Sequence, residues 1–114
     1  MGATRTDIHK GTDLELSALA KALGHPARIA ILRHLLRTRA CITGELTLEI
    51  GLAPATVAQH LRELKSAGLI QGKVAGHGVN YCINPNVWRQ TAALFADLFA
   101  QYPENQPRKY PCHE

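Results

Sequence analysis

Polar and basic side chains recur at short spacing within residues 52–68. Thr56 and Gln59 carry groups that hydrogen-bond the edges of bases, whereas Arg62 and Lys65 carry positive charge that binds phosphate. Hydroxyl, amide and cationic groups that face the same way on a helix are typical of a surface that reads duplex DNA. The first chemistry that the sequence indicates is therefore nucleic-acid binding.

A helix must hold these side chains in place, and the same segment carries an apolar stripe that would anchor one. Val57, Leu61 and Leu64 recur at i, i+4 and i+7, which places them on one face. Pro54 suits a first helical turn, and Gly68 suits the left-handed residue that ends a helix. The residues left on the opposite face are Ala55, Gln59, Arg62 and Ser66.

The flanking segments complete a helix-turn-helix followed by a β-hairpin. Residues 43–50 predict a short helix, and Gly51 begins a tight turn into the next one. Residues 69–74 and 79–83 flank a four-residue connection with two glycines, which favours a hairpin. On that hairpin, the side chains expected near the DNA backbone or minor groove are Lys73, His77 and Asn80, although a solvated loop explains His77 equally well.

The sequence resembles the ArsR/SmtB family of winged-helix repressors from about Leu16 to Trp88. The segments that carry the resemblance are Gly44-Glu45-Leu46, Thr56–Leu61, Ala67–Ile70 and Gly24–Leu32. It implies a mainly α fold with a small β-wing, a winged helix-turn-helix that dimerises through its first and last helices. Residues 39–42 would form a small strand that joins the wing. Ala53 and Ala58 stand where members usually carry serine, so a capping hydroxyl and a phosphate donor are missing.

The implied function is transcriptional repression by a homodimer on double-stranded operator DNA. The residues expected to contact DNA are Ala55, Thr56, Gln59, His60, Arg62, Lys65, Lys73, His77 and Asn80. Arg28 matches a family position, but a structural role suits it better than base reading. For His25, at a helix entry, local capping or packing is favoured over ligand binding.

Length and charge agree with this interpretation. A chain of 114 residues is one domain whose core is marginal unless a dimer buries more apolar surface. The net charge of +4 favours an anionic partner, and residues 21–39 hold five basic residues and no acid. No apolar run approaches the roughly 20 residues that span a bilayer, and the start lacks a secretory signal, so we expect a cytosolic protein without membrane contact.

The ends of the chain suggest its boundaries. Residues 1–11 predict a flexible arm, residues 12–102 the winged domain with its terminal helices, and residues 103–114 a flexible tail. Thr12 and Glu15 fit a capping box at the start of the first helix. The last helix begins after Asn84-Pro85, and its broad apolar band indicates a two-fold interface. That band consists of Val87, Trp88, Thr91, Leu94, Phe95, Leu98, Phe99 and Tyr102.

Three cysteines are the remaining candidates for chemistry. Cys41, Cys82 and Cys112 lack CxxC spacing, which argues against a disulfide scaffold or a zinc ribbon. If Ile42, Tyr81 and Ile83 point inward, Cys41 and Cys82 share the opposite face of the sheet, on strands that neighbour one another in the family fold. Thiolates there suit trivalent arsenic, antimony or another soft metal, or could form a disulfide, and Cys112 could add a third sulfur.

Other functions find less support. The acids are scattered and no catalytic constellation stands out, so no enzyme and no required cofactor are expected. The last helix contains Asp97 but no histidine, so the zinc site familiar in the family is absent. We therefore favour a repressor that is released by a thiol-reactive signal. The alternatives are incidental cysteines in a regulator controlled otherwise or through a protein partner, and a helical dimerisation module without DNA binding.

Overall fold

Four helices and a β-hairpin make up the described part of the chain. The computed structural model describes residues 11–38, 51–76 and 78–103. The elements in chain order are α1 (Gly11–Leu23), α2 (Pro26–Thr38), α3 (Pro54–Ser66), β1 (Ile70–Ala75), β2 (Gly78–Ile83) and α4 (Pro85–Phe99). The predicted strand at 39–42 and the predicted helix at 43–50 lie outside the described residues, as does the chain before Gly11 and after Pro103.

A short turn with its own capping groups joins α1 to α2. Helix α1 begins at Gly11, one residue before the predicted start, and after it the Gly24 N–H donates to the Lys21 carbonyl at 3.1 Å. The Ala27 N–H then donates to His25 Nδ1 at 3.0 Å, which satisfies a backbone donor in the first turn of α2. The local capping role predicted for His25 is confirmed.

Helix α3 begins and ends where the sequence predicts. Its N-cap residue, Ala53, offers no side-chain hydrogen bond, and Pro54 opens the first turn. At the other end Gly68 has a φ of +86°, and its N–H donates to the Lys65 carbonyl at 2.9 Å. A Cβ at Gly68 would lie 3.5 Å from both γ-carbons of Val87, so this glycine reverses the chain beside α4.

The predicted hairpin is present as an antiparallel pair of strands. Ile70 pairs with Ile83, Gly72 with Tyr81, and Lys73 with Asn80. A Cβ at Gly72 would lie 2.9 Å from Val79 Cγ1, so a larger residue at position 72 would force the Val79 side chain to move. Beyond β2, the Asn84 N–H donates to the Leu69 carbonyl at 3.0 Å, so the exit of the hairpin is tied to its entrance.

The core lies where α2, α3 and the base of the hairpin meet, with α1 covering it. Ile31, Leu64, Leu69 and Ile70 are its fully buried large side chains. Each side chain of this size contributes about 1.5–3 kcal/mol on burial. The other buried apolar residues are Leu19, Ala22, Leu32, Leu35, Val57 and Leu61. Since the apolar stripe predicted for α3 is part of this core, helix α3 is anchored along its length.

Helix α4 is partly buried in its first half, around Val87, Trp88 and Thr91, and exposed at its end. The Asn84 side chain accepts a hydrogen bond from the Val87 N–H at 3.3 Å, and the buried Thr91 hydroxyl donates to the Val87 carbonyl at 2.7 Å. Toward the C-terminus, Phe99 is 71% exposed and Tyr102, three residues beyond the helix, 67%. None of the helices described here combines the length and apolar character needed to cross a membrane.

Candidate nucleic-acid interface

Helix α3 has two chemically distinct faces. Val57, Leu61 and Leu64 are buried, whereas Thr56, Gln59 and Arg62 are exposed to solvent. The exposed face also carries Ala55, Lys65 and Ser66. The division of α3 into an anchored and a free side is therefore confirmed, while the contact of the free side with DNA stays a prediction at this point.

The polar side chains on the free face are already hydrogen-bonded to one another. Arg62 Nη2 donates to Gln59 Oε1 at 2.6 Å, and Gln59 Nε2 donates to Glu63 Oε1 at 3.1 Å. This chain of contacts follows the i, i+3 and i, i+4 spacing of helical neighbours. It holds the Gln59 amide at the helix surface between a cation and a carboxylate. The amide keeps a second N–H on Nε2 and a second lone pair on Oε1, so a base edge can bond to Gln59 beside these two partners.

Glu63 is a member of this surface that the sequence prediction did not include. Its carboxylate brings negative charge within one helical turn of Arg62 and accepts from Gln59. The i, i+4 spacing of Gln59 and Glu63 was a usable signal for this contact, because a glutamine and an acid so placed are neighbours on a helix.

The first turn of α3 has backbone N–H groups without a side-chain cap, because its N-cap residue is Ala53 and not a serine. Because Ala53 provides no capping oxygen, the first-turn N–H groups next to the exposed Ala55 and Thr56 are not satisfied by a side-chain cap. Helix N-termini attract anions through these groups and the helix dipole. The serine-to-alanine departure at this position therefore leaves the backbone itself as the group available to a phosphate.

The hairpin carries the second cluster of predicted residues. Lys73 is exposed on β1 and lies directly opposite the half-buried Asn80 on β2, so the structure brings these two predictions together. Val74, next to Lys73 on β1, is 86% exposed and gives the hairpin an apolar contact surface. The sequence analysis did not include Val74 among the candidate residues. His77 lies outside the described residues.

Lys65, near the end of α3, extends toward the hairpin. Its Nζ is 3.6 Å from the position that a Cβ on Gly72 would occupy, so the ammonium group extends over β1. Helix α3 therefore supplies a cation at the junction of helix and hairpin, where both elements would approach the same stretch of the DNA backbone.

His60 differs from its prediction. It was placed in the DNA-contacting set, but its side chain is only 7% exposed. His60 Nδ1 accepts a hydrogen bond from Arg28 Nε at 3.1 Å, which confirms the structural role predicted for Arg28. The physical reason is periodicity, because His60 follows Val57 by three residues and precedes Leu64 by four, which puts it on the buried face.

Burial also affects the titration of His60. The pKa of His60 is lowered from its usual 6.5, first because burial penalises the charged form, then through the charges of His25 and Arg28. The His25 and His60 rings lie with their centroids 4.5 Å apart. A neutral imidazole is thus the form that suits this site.

Of the predicted switch residues, Cys82 alone lies in the described part of the chain. It is half-buried on β2, pairs across the hairpin with Gln71, and is disulfide-bonded. Cys41 and Cys112 fall outside the described residues. Within residues 11–38, 51–76 and 78–103, no group of three or more His, Cys, Asp or Glu side chains is placed to hold a metal ion.

Known proteins share this arrangement. A family model described as "Helix-turn-helix domain" matches residues 23–72. The transcriptional regulator YgaV of Escherichia coli is 35% identical over 85 residues, which cover 75% of this chain and 86% of YgaV. The transcriptional repressor SmtB of Mycobacterium tuberculosis strain H37Rv is 38% identical over 63 residues, which cover 55% of this chain and 46% of SmtB.

A solved structure agrees with the sequence relatives. The ArsR-like transcriptional regulator from Rhodococcus sp. RHA1 superposes with a TM-score of 0.69 at 25% identity, over 81% of this chain and 86% of that one. Its likeness extends beyond the helix-turn-helix to the flanking helices. The chain therefore belongs to the ArsR/SmtB family of winged-helix transcriptional regulators, a class of DNA-binding proteins rather than enzymes.

Proposed function

We propose that this protein is a homodimeric repressor that binds a pseudo-palindromic operator in double-stranded DNA and is released by a thiol-reactive signal. The observation that carries the proposal is the exposed polar face of α3, which bears Gln59 and Arg62 on a helix whose other side is anchored in the core. A cytoplasmic location accords with this role.

The exposed groups have two proposed roles, contact with base edges and contact with phosphate. Thr56 and Gln59, in the first half of α3, contact base edges in the major groove. Arg62, Lys65 and Lys73 contact phosphate and fix the position of the helix on the duplex. The remaining contacts of the proposed set are those of Ala55 in the first turn of α3, and of His77 and Asn80 on the wing.

The second half of the proposal is a dimer formed through α1 and α4. Helix α4 packs against α1 within the chain, and beyond that contact Leu98 is 46% and Phe99 71% exposed. The Phe95 and Phe99 rings stack with centroids 6.2 Å apart, so the apolar surface is continuous along the helix. A two-fold partner that covers it would present two copies of α3 to successive major grooves.

The signal is proposed to act through the cysteines. Cys82 lies on the wing, and Cys41 would directly precede the helix-turn-helix, so joining them through a disulfide or a trivalent metalloid would constrain the two elements that fit the DNA grooves. The disulfide state of Cys82 supports thiol chemistry at this position. A coupling of only about 1–3 kcal/mol changes affinity about 5- to 150-fold, which is enough for release. Cys112 would join only if a three-sulfur site forms.

Selection from a randomised duplex library tests the DNA-binding claim directly. The purified full chain should enrich a pseudo-palindromic sequence, and its affinity for that duplex should fall steeply with salt. Failure to enrich any sequence, together with salt-independent behaviour toward duplex DNA, would favour a dimerisation module without DNA binding.

Titration of the protein with arsenite, zinc and peroxide before duplex binding tests the signal. A thiol-directed signal should release the duplex from the wild type but not from Cys41→Ser or Cys82→Ser. If the double variant is released like the wild type, control does not pass through these cysteines.

A further inference from the structure

A partly buried polar contact joins the inward face of α3 to α1 and α2. Arg28 Nε donates to His60 Nδ1 at 3.1 Å, and Arg28 Nη1 reaches the Ala22 carbonyl at 3.4 Å. One guanidinium in the first turn of α2 therefore links the end of α1 to the middle of α3. Its geometry is fixed, because the donors of arginine form a rigid planar fork.

His25 packs against this contact from the turn before α2. Its ring centroid is 4.5 Å from that of His60, with the planes tilted by 48°. The ring cannot turn freely because His25 Nδ1 accepts from the Ala27 N–H at 3.0 Å. The imidazole of His60 is thus enclosed by a guanidinium on one side and a second imidazole on another.

We propose that Arg28 and His60 are positioning residues that fix the reading helix for DNA binding, and that they do so only while His60 is neutral, so that proton uptake at His60 weakens DNA binding. The proposal rests on the proposed function, in which α3 binds duplex DNA. It adds a form of regulation that does not involve the cysteines.

The chemistry of the contact explains the dependence on charge. Neutral His60 must carry its proton on Nε2, because Nδ1 accepts from Arg28. Protonation puts a second N–H on Nδ1, which then faces the Arg28 donor across 3.1 Å. Protonation thus removes the acceptor and sets two cations together beside a His60 side chain that is only 7% exposed, which drives the contact open.

The other charged groups around α3 do not offset this effect. Lys21 on α1 and Glu63 on α3 line the groove that also contains Arg28. On the side of the hairpin, Lys73 is exposed and Lys65 extends over Gly72. Among the described residues, the charges that act on the pKa of His60 are those of His25 and Arg28, and both lower it.

The stability that this contact contributes depends on pH. Because the folded-state pKa of His60 is below the usual 6.5, the unfolded chain binds the proton more readily. The stability that the contact contributes is therefore complete above about pH 6.5 and declines as the pH falls from there through the folded-state pKa. Any state that requires the closed contact, including a DNA-bound one, follows the same direction.

The discriminating variant is His60→Asn. Asparagine Oδ1 takes the place of Nδ1 as an acceptor for Arg28 but does not titrate. The matched control is His34→Gln, which removes a half-buried histidine of α2 outside the cluster. Affinity for a duplex selected by the wild type at pH 8 is measured at pH 8 and pH 5.5, at constant ionic strength.

Relative to His60→Asn, the wild type should lose affinity between the two pH values, by at most about tenfold, because the pKa of His60 lies below 6.5 and one pH unit separates 6.5 from 5.5. The control should behave like the wild type. If the wild type and His60→Asn change in parallel, the proposal is wrong. Because a change of pH alters the charge of the whole chain, the ratio of the two proteins is the deciding quantity.

Histidine ring signals followed by NMR in the wild type provide a second measurement that requires no variant to fold. The proposal predicts that bound duplex lowers the pKa of His60 further, and an unchanged or raised value would contradict it. If no duplex is bound at all, the proposed function fails. The contact itself is then judged by thermal stability, which should fall more steeply below pH 6.5 in the wild type than in His60→Asn.

Discussion

Helices α3 and α4 are both amphipathic, but they use their apolar sides differently. Helix α3 buries its whole stripe within its own chain, Leu64 completely, and exposes only polar and small side chains. Helix α4 buries Thr91 alone, leaves Val87 and Phe95 half-covered, and ends with Phe99 exposed. The difference indicates that α3 is held for contact with a polar partner, whereas α4 needs an apolar one.

Truncation of an apolar side chain on each helix should give the largest difference, measured in the free energy of unfolding. Leu64→Ala removes a completely buried side chain from α3, and we expect a loss of about 2–5 kcal/mol in the free energy of unfolding. Leu98→Ala, at a half-exposed position of α4, should cost less than about 1 kcal/mol in the monomer. Urea denaturation at low protein concentration measures both, and equal losses would remove the distinction.

The apolar end of α4 should matter for assembly instead. Phe99→Ser should weaken the dimer about tenfold to a hundredfold, since a large apolar side chain contributes about 1.5–3 kcal/mol on burial and 1.4 kcal/mol is a factor of ten. Val74→Ala, an exposed apolar residue on the hairpin, is the control and should leave assembly unchanged. Sedimentation at micromolar concentration measures the fraction of dimer in each variant. A monomeric wild type would count strongly against an interface formed by α1 and α4.

A phosphate contact on the wing should give a smaller, uniform effect. Lys73→Ala should weaken binding to every duplex alike and reduce the salt slope by about one unit. Arg89→Ala removes an exposed cation from α4, where it bonds to Asn86, and should leave the slope unchanged. If both variants alter the slope equally, only overall charge is being measured.

The smallest expected effect concerns Glu63. Glu63→Gln keeps an acceptor for Gln59 Nε2 but removes a negative charge beside the free face of α3. Since exposed charge interactions contribute about 0.2–1 kcal/mol, affinity should rise by a few-fold at most on all duplexes. A loss of affinity would mean that the carboxylate itself makes a contact with DNA.

The sequence predicted α3 well because its determinants are local. The period of Val57, Leu61 and Leu64 fixes the buried face, and Pro54 and Gly68 mark the ends. The hairpin follows for the same reason, from two β-favouring runs around glycines. Such signals depend on neighbours within a few residues, which a single sequence displays in full.

His60 shows where local reasoning failed. Its residue type pointed to the polar face, whereas its position relative to Val57 and Leu64 pointed to the core, and position prevailed because Arg28 satisfies the ring. That partner lies 32 residues away, and a pairing at such a distance depends on how α2 and α3 pack. The disulfide at Cys82 is likewise a matter of tertiary placement, which spacing in the sequence does not determine.

In the proposed function the free face of α3 reads base sequence, and its buried face holds the helix in position. The most direct measurement compares wild type and Gln59→Ala on the selected duplex and on every single-base variant of it. We expect Gln59→Ala to lose about 1–3 kcal/mol of discrimination at symmetric positions of the two half-sites and to keep the wild-type profile elsewhere. Equal weakening at every position would contradict it.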